Sequence, residues 1–269
     1  MKRILFFVFF MADFLFVSAQ TYNEWIDKSF ECIESEDWAG AEKALIGALR
    51  VQPANPQNAL LLSNLGTIQR KMGKNDEALK SYTNALMITP RSVTLLMNRA
   101  ALFSEMEKFD DALKDYNQVL MLDDKEEDAL YLRGLIRLEK NDTTACRKDF
   151  EQLLKINPKS SDARIGLAAL MKLRGYYTEA IDLYTQVIRV NPEQASLYLN
   201  RGEAYLLNRR LNKADEDVAK ALELDPKDPL VYVLRAKLKL ARYEKEDAVS
   251  LGFDRKDADI LLNKEQSEK

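Results

Sequence analysis

The chain has 269 residues and is close to electrical balance, with a formal charge of −3 and no basic block to hold a phosphate backbone, so nucleic acid is not an expected partner. It contains no histidine, which removes the commonest general base and the commonest metal ligand together. Nine glycines and seven prolines, with 31% charged residues, describe a helical chain with few long loops.

Reading from the start, Lys2 and Arg3 precede an apolar run from Ile4 to Ala12, and Val17-Ser18-Ala19 places small residues where a signal peptidase reads. Residues 1–19 are therefore expected to be a signal peptide, with Gln20 as the first mature residue. Asp13 interrupts the run and leaves it too short to anchor in a bilayer, so no membrane span is expected after cleavage. Without a cysteine beside the cleavage point, lipid attachment is not expected either. The expected destination is the periplasm if the source is bacterial, and the exterior otherwise.

Further along, Pro90, Pro158, Pro192 and Pro226 lie on one 34-residue grid, with Asp124 standing as a helix-ending substitute at the missing mark. A fixed period of that length predicts helix pairs stacked as a solenoid, each burying its apolar face against its neighbours. With proline at position 32, repeats run 59–92, 93–126, 127–160, 161–194 and 195–228. Position 8 is small (Gly66, Ala100, Gly134, Ala168, Gly202), as is position 20 (Ala78, Ala112, Cys146, Ala180, Ala214). Position 24 is bulky in the same repeats, as Tyr82, Tyr116, Phe150, Tyr184 and Val218. Small residues let two antiparallel helices approach, and the bulky one fills the space beside them.

Upstream, Trp25, Ala41, Leu45, Ala48 and Pro53 define a further repeat at 22–55, offset by a short insertion around Gln57. Downstream, Pro229, Tyr232, Ala236 and Ala248 keep the phase until Gly252 breaks it at position 24. Residues 229–263 are expected to form a degenerate capping helix pair, completing a solenoid over 20–263, and 264–269 a charged tail.

These residues resemble the tetratricopeptide repeat (TPR), whose pattern is Trp-Leu-Gly-Tyr on the first helix and Ala-Phe-Ala-Pro on the second. The resemblance implies an all-α, right-handed superhelical solenoid of antiparallel helix pairs, with first helices lining a concave side that holds a peptide or partner helix. Positions 2, 5, 6 and 9 of those helices supply the candidate contacts: Asn64, Thr67, Thr94, Met97, Asn98, Asp128, Tyr131, Leu135, Asp162, Ile165 and Asn200. Met97, Tyr131, Leu135 and Ile165 form an apolar centre, and Asp128 and Asp162 favour some positive charge on the partner. The family's carboxylate clamp is absent, because position 5 is Ser63, Met97 and Ile165 rather than lysine. Tyr131→Glu is expected to weaken partner capture with little effect on melting.

At position 7, where the family usually has leucine, stand Arg99, Arg133 and Arg201, and position 23 of the same repeats holds Asp115, Asp149 and Asp217. Repeats 59–92 and 161–194 have Leu65 and Leu167 instead, with Ser81 and Leu183. Arginine and aspartate thus occur together, as expected of interhelical ion pairs. Cys32 and Cys146 fall on core positions three repeats apart, too far to join, and are expected as buried free thiols.

Catalysis finds no foothold. There is no phosphate loop, no nucleophile elbow and no metal set, so no cofactor and no small-molecule substrate are expected. The expected function is a non-enzymatic exported scaffold or adaptor holding a protein or peptide partner. The alternative is an assembly subunit that self-associates through solenoid ends or its convex face.

Overall fold

Helix starts are written locally. Thr21 builds a reciprocal capping box with Glu24, and Asp37, Asp142 and Ser160 each accept a hydrogen bond from a first-turn backbone N–H. Each first helix of a pair ends on a left-handed residue at position 15: Glu36, Gly73, Glu107, Asn141, Gly175 and Arg209. Only two of these are glycine, so four side chains are held at a positive φ that L-residues rarely adopt.

The structure, a computed structural model, describes residues 20–250, with side chains as far as Tyr243. The expected signal peptide (residues 1–19), Gly252, the rest of the expected cap and the tail lie outside the described residues. Within them are thirteen helices and no strand. The chain divides into two compact units, up to Leu102 and from Phe103.

In the first unit, α1 (Tyr22–Glu34) packs on α2 (Trp38–Val51), α3 (Asn58–Lys71) packs on α4 (Asn75–Ile88), and α5 (Val93–Glu105) begins. A buried cluster of Tyr22, Leu45, Leu61, Leu65 and Ile68 joins the two pairs. Tyr82, fully buried, lies over Gly66, where an added Cβ would come within 2.8 Å of the ring.

The second unit holds α6 (Phe109–Leu122), then the pairs α7 (Glu127–Glu139) with α8 (Thr143–Ile156), α9 (Ser161–Leu173) with α10 (Tyr177–Val190), and α11 (Ala195–Leu207) with α12 (Leu211–Leu224). Its core is a series of small layers, such as Cys146, Phe150 and Leu170, followed by Ala168, Ala180, Tyr184 and Ala204. The layers suit a chain whose apolar faces are each buried by the next helix rather than around one centre.

Two details depart from the sequence reading. The turn at 123–126 is made by Asp123, whose carboxylate accepts from the Lys125 N–H, rather than by Asp124. Asn157 and Asp225 make the same bond beside Pro158 and Pro226, so the residue before the proline mark shapes the turn even where proline is missing. At the C-terminal end, α13 (Pro229–Ser250) runs on as one helix instead of breaking at position 15. Tyr243 stands there, and a bulky aromatic is poorly suited to the left-handed conformation the break requires. Among the described residues, no helix is long and apolar enough to cross a membrane.

Candidate partner-binding face

Helical spacing puts positions 2, 5, 9 and 12 of a first helix on one stripe. In the first unit this stripe carries Thr67 and Thr94, both exposed, and half-buried Met97, with half-buried Asn64 and Asn98 beside it at position 6. The Thr67 hydroxyl is already engaged, bonding the Ser63 carbonyl at 3.1 Å and the Tyr82 hydroxyl at 3.0 Å. Thr67 is therefore tied to the core ring beneath it and is a weaker candidate contact than its exposure suggests.

In the second unit, α7, α9 and α11 present the stripe. Asp128 and Asp162 are exposed at its start, and Tyr131, Leu135 and Ile165 are half-buried in the middle. The Tyr131 ring lies 6.3 Å from Phe150 and packs against two buried clusters. Burial, aided by the Asp162 charge, pushes its phenol up. Tyr131 thus belongs to the core as much as to the surface, and Tyr131→Glu would bury a charge. The expectation of unchanged melting does not hold for this residue.

Toward the ends of the same helices a hollow of about 570 Å³ is lined by Leu138, Glu139, Asn141, Ala169, Lys172, Leu173, Glu203 and Leu207. Lys172 donates to Glu203 at 2.5 Å and to Asn200 at 3.5 Å, while Lys237 of α13 approaches Glu203 at 3.7 Å. Asn200 also donates to the Ser196 carbonyl, which fixes its amide within its own helix. Burial alone would raise the Glu203 carboxyl, but the Lys172 hydrogen bond and the two ammonium charges outweigh it and hold it below its ordinary 4.5. Because the folded value is the lower one, the stability this group contributes is present above pH 4.5 and is lost as pH falls through the depressed value. Wild type should therefore exceed Glu203→Gln in melting temperature at pH 7, and the gap should close on acidification; a gap that persists into strong acid would refute the assignment.

Behind this face lie the arginines. Arg133 donates from Nε and Nη2 to Asp149 at 3.2 and 2.6 Å, and Arg201 does the same to Asp217 at 2.8 and 2.6 Å. Arg99 belongs to the first unit and Asp115, buried, to the second. A third partner was not foreseen. Nη1 of Arg99, Arg133 and Arg201 donates to Thr83, Asn117 and Thr185, at position 25 of the preceding repeat. The signal was present, since Ile46 and Glu151 occupy position 25 ahead of the leucine repeats.

Arg137 adds a second guanidinium to Asp149 at 2.6 Å, also unforeseen. Burial pushes the Asp217 carboxyl up, while its bonds to Arg201 hold that guanidinium protonated. The bidentate geometry decides for a charged pair at neutral pH. These arginines are spent on structure. Cys146 is buried and Cys32 only half-buried; both are free thiols.

An all-helical chain of antiparallel pairs, with small-over-aromatic packing and a stripe left open on its first helices, defines a helical-repeat protein. Tetratricopeptide repeat models match residues 61–94, 128–160 and 195–228, and a TPR repeat model matches 172–208. The crystal structure of a tetratricopeptide repeat protein from Parabacteroides merdae ATCC 43184 is 38% identical, with a TM-score of 0.78 over 90% of this chain and 97% of that one. The chain belongs to the tetratricopeptide repeat family. MamA (22% identical, TM-score 0.54, 64% of this chain and 93% of that one) shares the fold. So does YrrB, described as a TPR protein with an unusual peptide-binding site (18%, TM-score 0.53, 73% and 100%). No curated protein matches the sequence. Proteins of this family are interaction scaffolds for protein or peptide partners and are generally not enzymes.

Proposed function

We propose that this protein is an exported, non-enzymatic scaffold that holds a peptide or helix of a partner protein on the first-helix face of its second unit. The observation that carries the reading is the hollow beside Ala169. There a small side chain leaves room beside Leu138, Leu173 and Leu207, in line with the half-exposed Leu135 and Ile165. A face already formed without its partner binds a segment at little ordering cost to the receptor. Export rests on the leader-like residues 1–19, and a peripheral or secreted protein is the expected kind of partner.

A second reading, self-association, draws on α13, where Leu230, Val233, Leu240 and Tyr243 are about half exposed or more.

The test is affinity capture from a native envelope or extracellular fraction, with the protein and with Ala169→Gln, which fills the hollow without changing charge. Partner retained by wild type and lost by the variant, at similar melting temperature, is the expected result. Equal capture by both would overturn the groove reading. Capture of nothing but further copies of the chain would favour self-association.

A further inference from the structure

The charges along the open stripe of the second unit are not evenly placed. Asp128 and Asp162 stand at position 2 of α7 and α9, exposed, and neither forms an ion pair among the described residues. First-turn acids favour a helix start, yet α11 has Ser196 at the same position and does without one. At the far end, by contrast, Lys172 and Glu203 meet at 2.5 Å within the wall of the hollow, whose apolar side is Leu138, Leu173, Leu207 and Ala169 and whose polar side also includes Glu139 and Asn141. One end therefore offers uncompensated negative charge, and the other a recess with an apolar side, in which Lys172 and Glu203 are paired with each other.

We infer that the occupant of this face is a basic–apolar segment, with a lysine or arginine over Asp128 and Asp162 and a large apolar side chain in the recess beside Ala169. The inference rests on the face being a docking site and specifies what it accepts. Residues 162 and 169 lie on one helix stripe, about 10 Å apart at 1.5 Å rise per residue. An extended segment covers that distance in roughly three residues. The recognised pattern is thus a basic residue followed, or preceded, three positions away by leucine, phenylalanine or methionine, with the intervening side chains over Tyr131, Leu135 and Ile165. Two carboxylates with no cation of their own reject an acidic residue there by like-charge repulsion, which makes the preference one of specificity as well as attraction.

Two measurements test this. In the first, short neutral-ended peptides carrying Arg-Ala-Ala-Leu, or Glu-Ala-Ala-Leu, are titrated against the full chain at low ionic strength. The arginine peptide should bind about tenfold more tightly or better. Asp128→Lys combined with Asp162→Lys should invert the order, and Ala169→Gln should weaken both. In the second, the double lysine variant should lose the natural partner in the capture experiment.

If the glutamate peptide binds as well as the arginine one, or the double variant captures the partner as wild type does, the inference is overturned. Should capture still depend on Ala169 in that event, the groove reading stands and only its basic–apolar specificity falls. If capture is indifferent to Ala169 as well, both fall together.

Discussion

Arg201→Leu is expected to lower the unfolding free energy by about 3–5 kcal/mol, because it strands the buried Asp217 carboxylate without a counter-charge. Asp217 is 4% exposed and takes both of its short hydrogen bonds from Arg201. The same change also removes the Arg201 bond to the Thr185 hydroxyl, which keeps its own bond to the Ile181 carbonyl at 2.7 Å and so adds little to the loss.

The double variant Arg201→Leu with Asp217→Leu should recover most of the loss, since replacing a whole buried pair by apolar residues is often near neutral. The protein already contains that arrangement, with Leu167 and Leu183 at the equivalent positions of the preceding repeat. Urea denaturation of the two single variants and the double one measures the coupling directly. Additive losses would show that the pair does not act as a unit. Arg133→Leu should cost less than Arg201→Leu, because Arg137 still holds Asp149.

Phe150→Ala should be comparably destabilising, at about 3–5 kcal/mol for an aromatic removed from a closed core. Phe150 is fully buried and is wedged between two glycines of neighbouring first helices. A Cβ added at Gly134 or at Gly166 would come within 2.5 Å of its ring. The ring therefore fixes how closely α7 and α9 approach α8, and the two glycines exist to admit it. Gly166→Ala alone should cost about 1–3 kcal/mol through overpacking. In the Phe150→Ala background the same substitution should cost much less, or stabilise by filling part of the cavity. Thermal or urea unfolding of this cycle tests the idea; an unchanged cost of Gly166→Ala would show that the ring is not what requires the glycine.

The helical-repeat class was legible because its signals are local and recur. A small residue at position 8, another at 20 and a bulky one at 24 recur through the five repeats of 59–228, and each unit needs only its neighbours to bury its apolar face. The Arg–Asp co-occurrence was legible for the same reason, since both residues lie in one helix pair. The cap was less so: nothing in the phase of Pro229, Tyr232 and Ala236 shows that Tyr243 fails to break the helix.

What the amino-acid sequence determined by itself is thus the helical, tetratricopeptide character of the chain, because period and apolar pattern dictate which faces must be buried. Tertiary structure alone decided which polar groups meet across those faces. Arg137 reaching Asp149, the position-25 partners of the arginines, Lys172 and Lys237 converging on Glu203, and Tyr131 turning partly into the core all depend on how one helix is rotated against the next. That rotation is set by the side chains packed between helices, such as Phe150 over Gly134 and Gly166. A repeat pattern states that the helices pack but leaves their relative angle to the volumes that fill the gap.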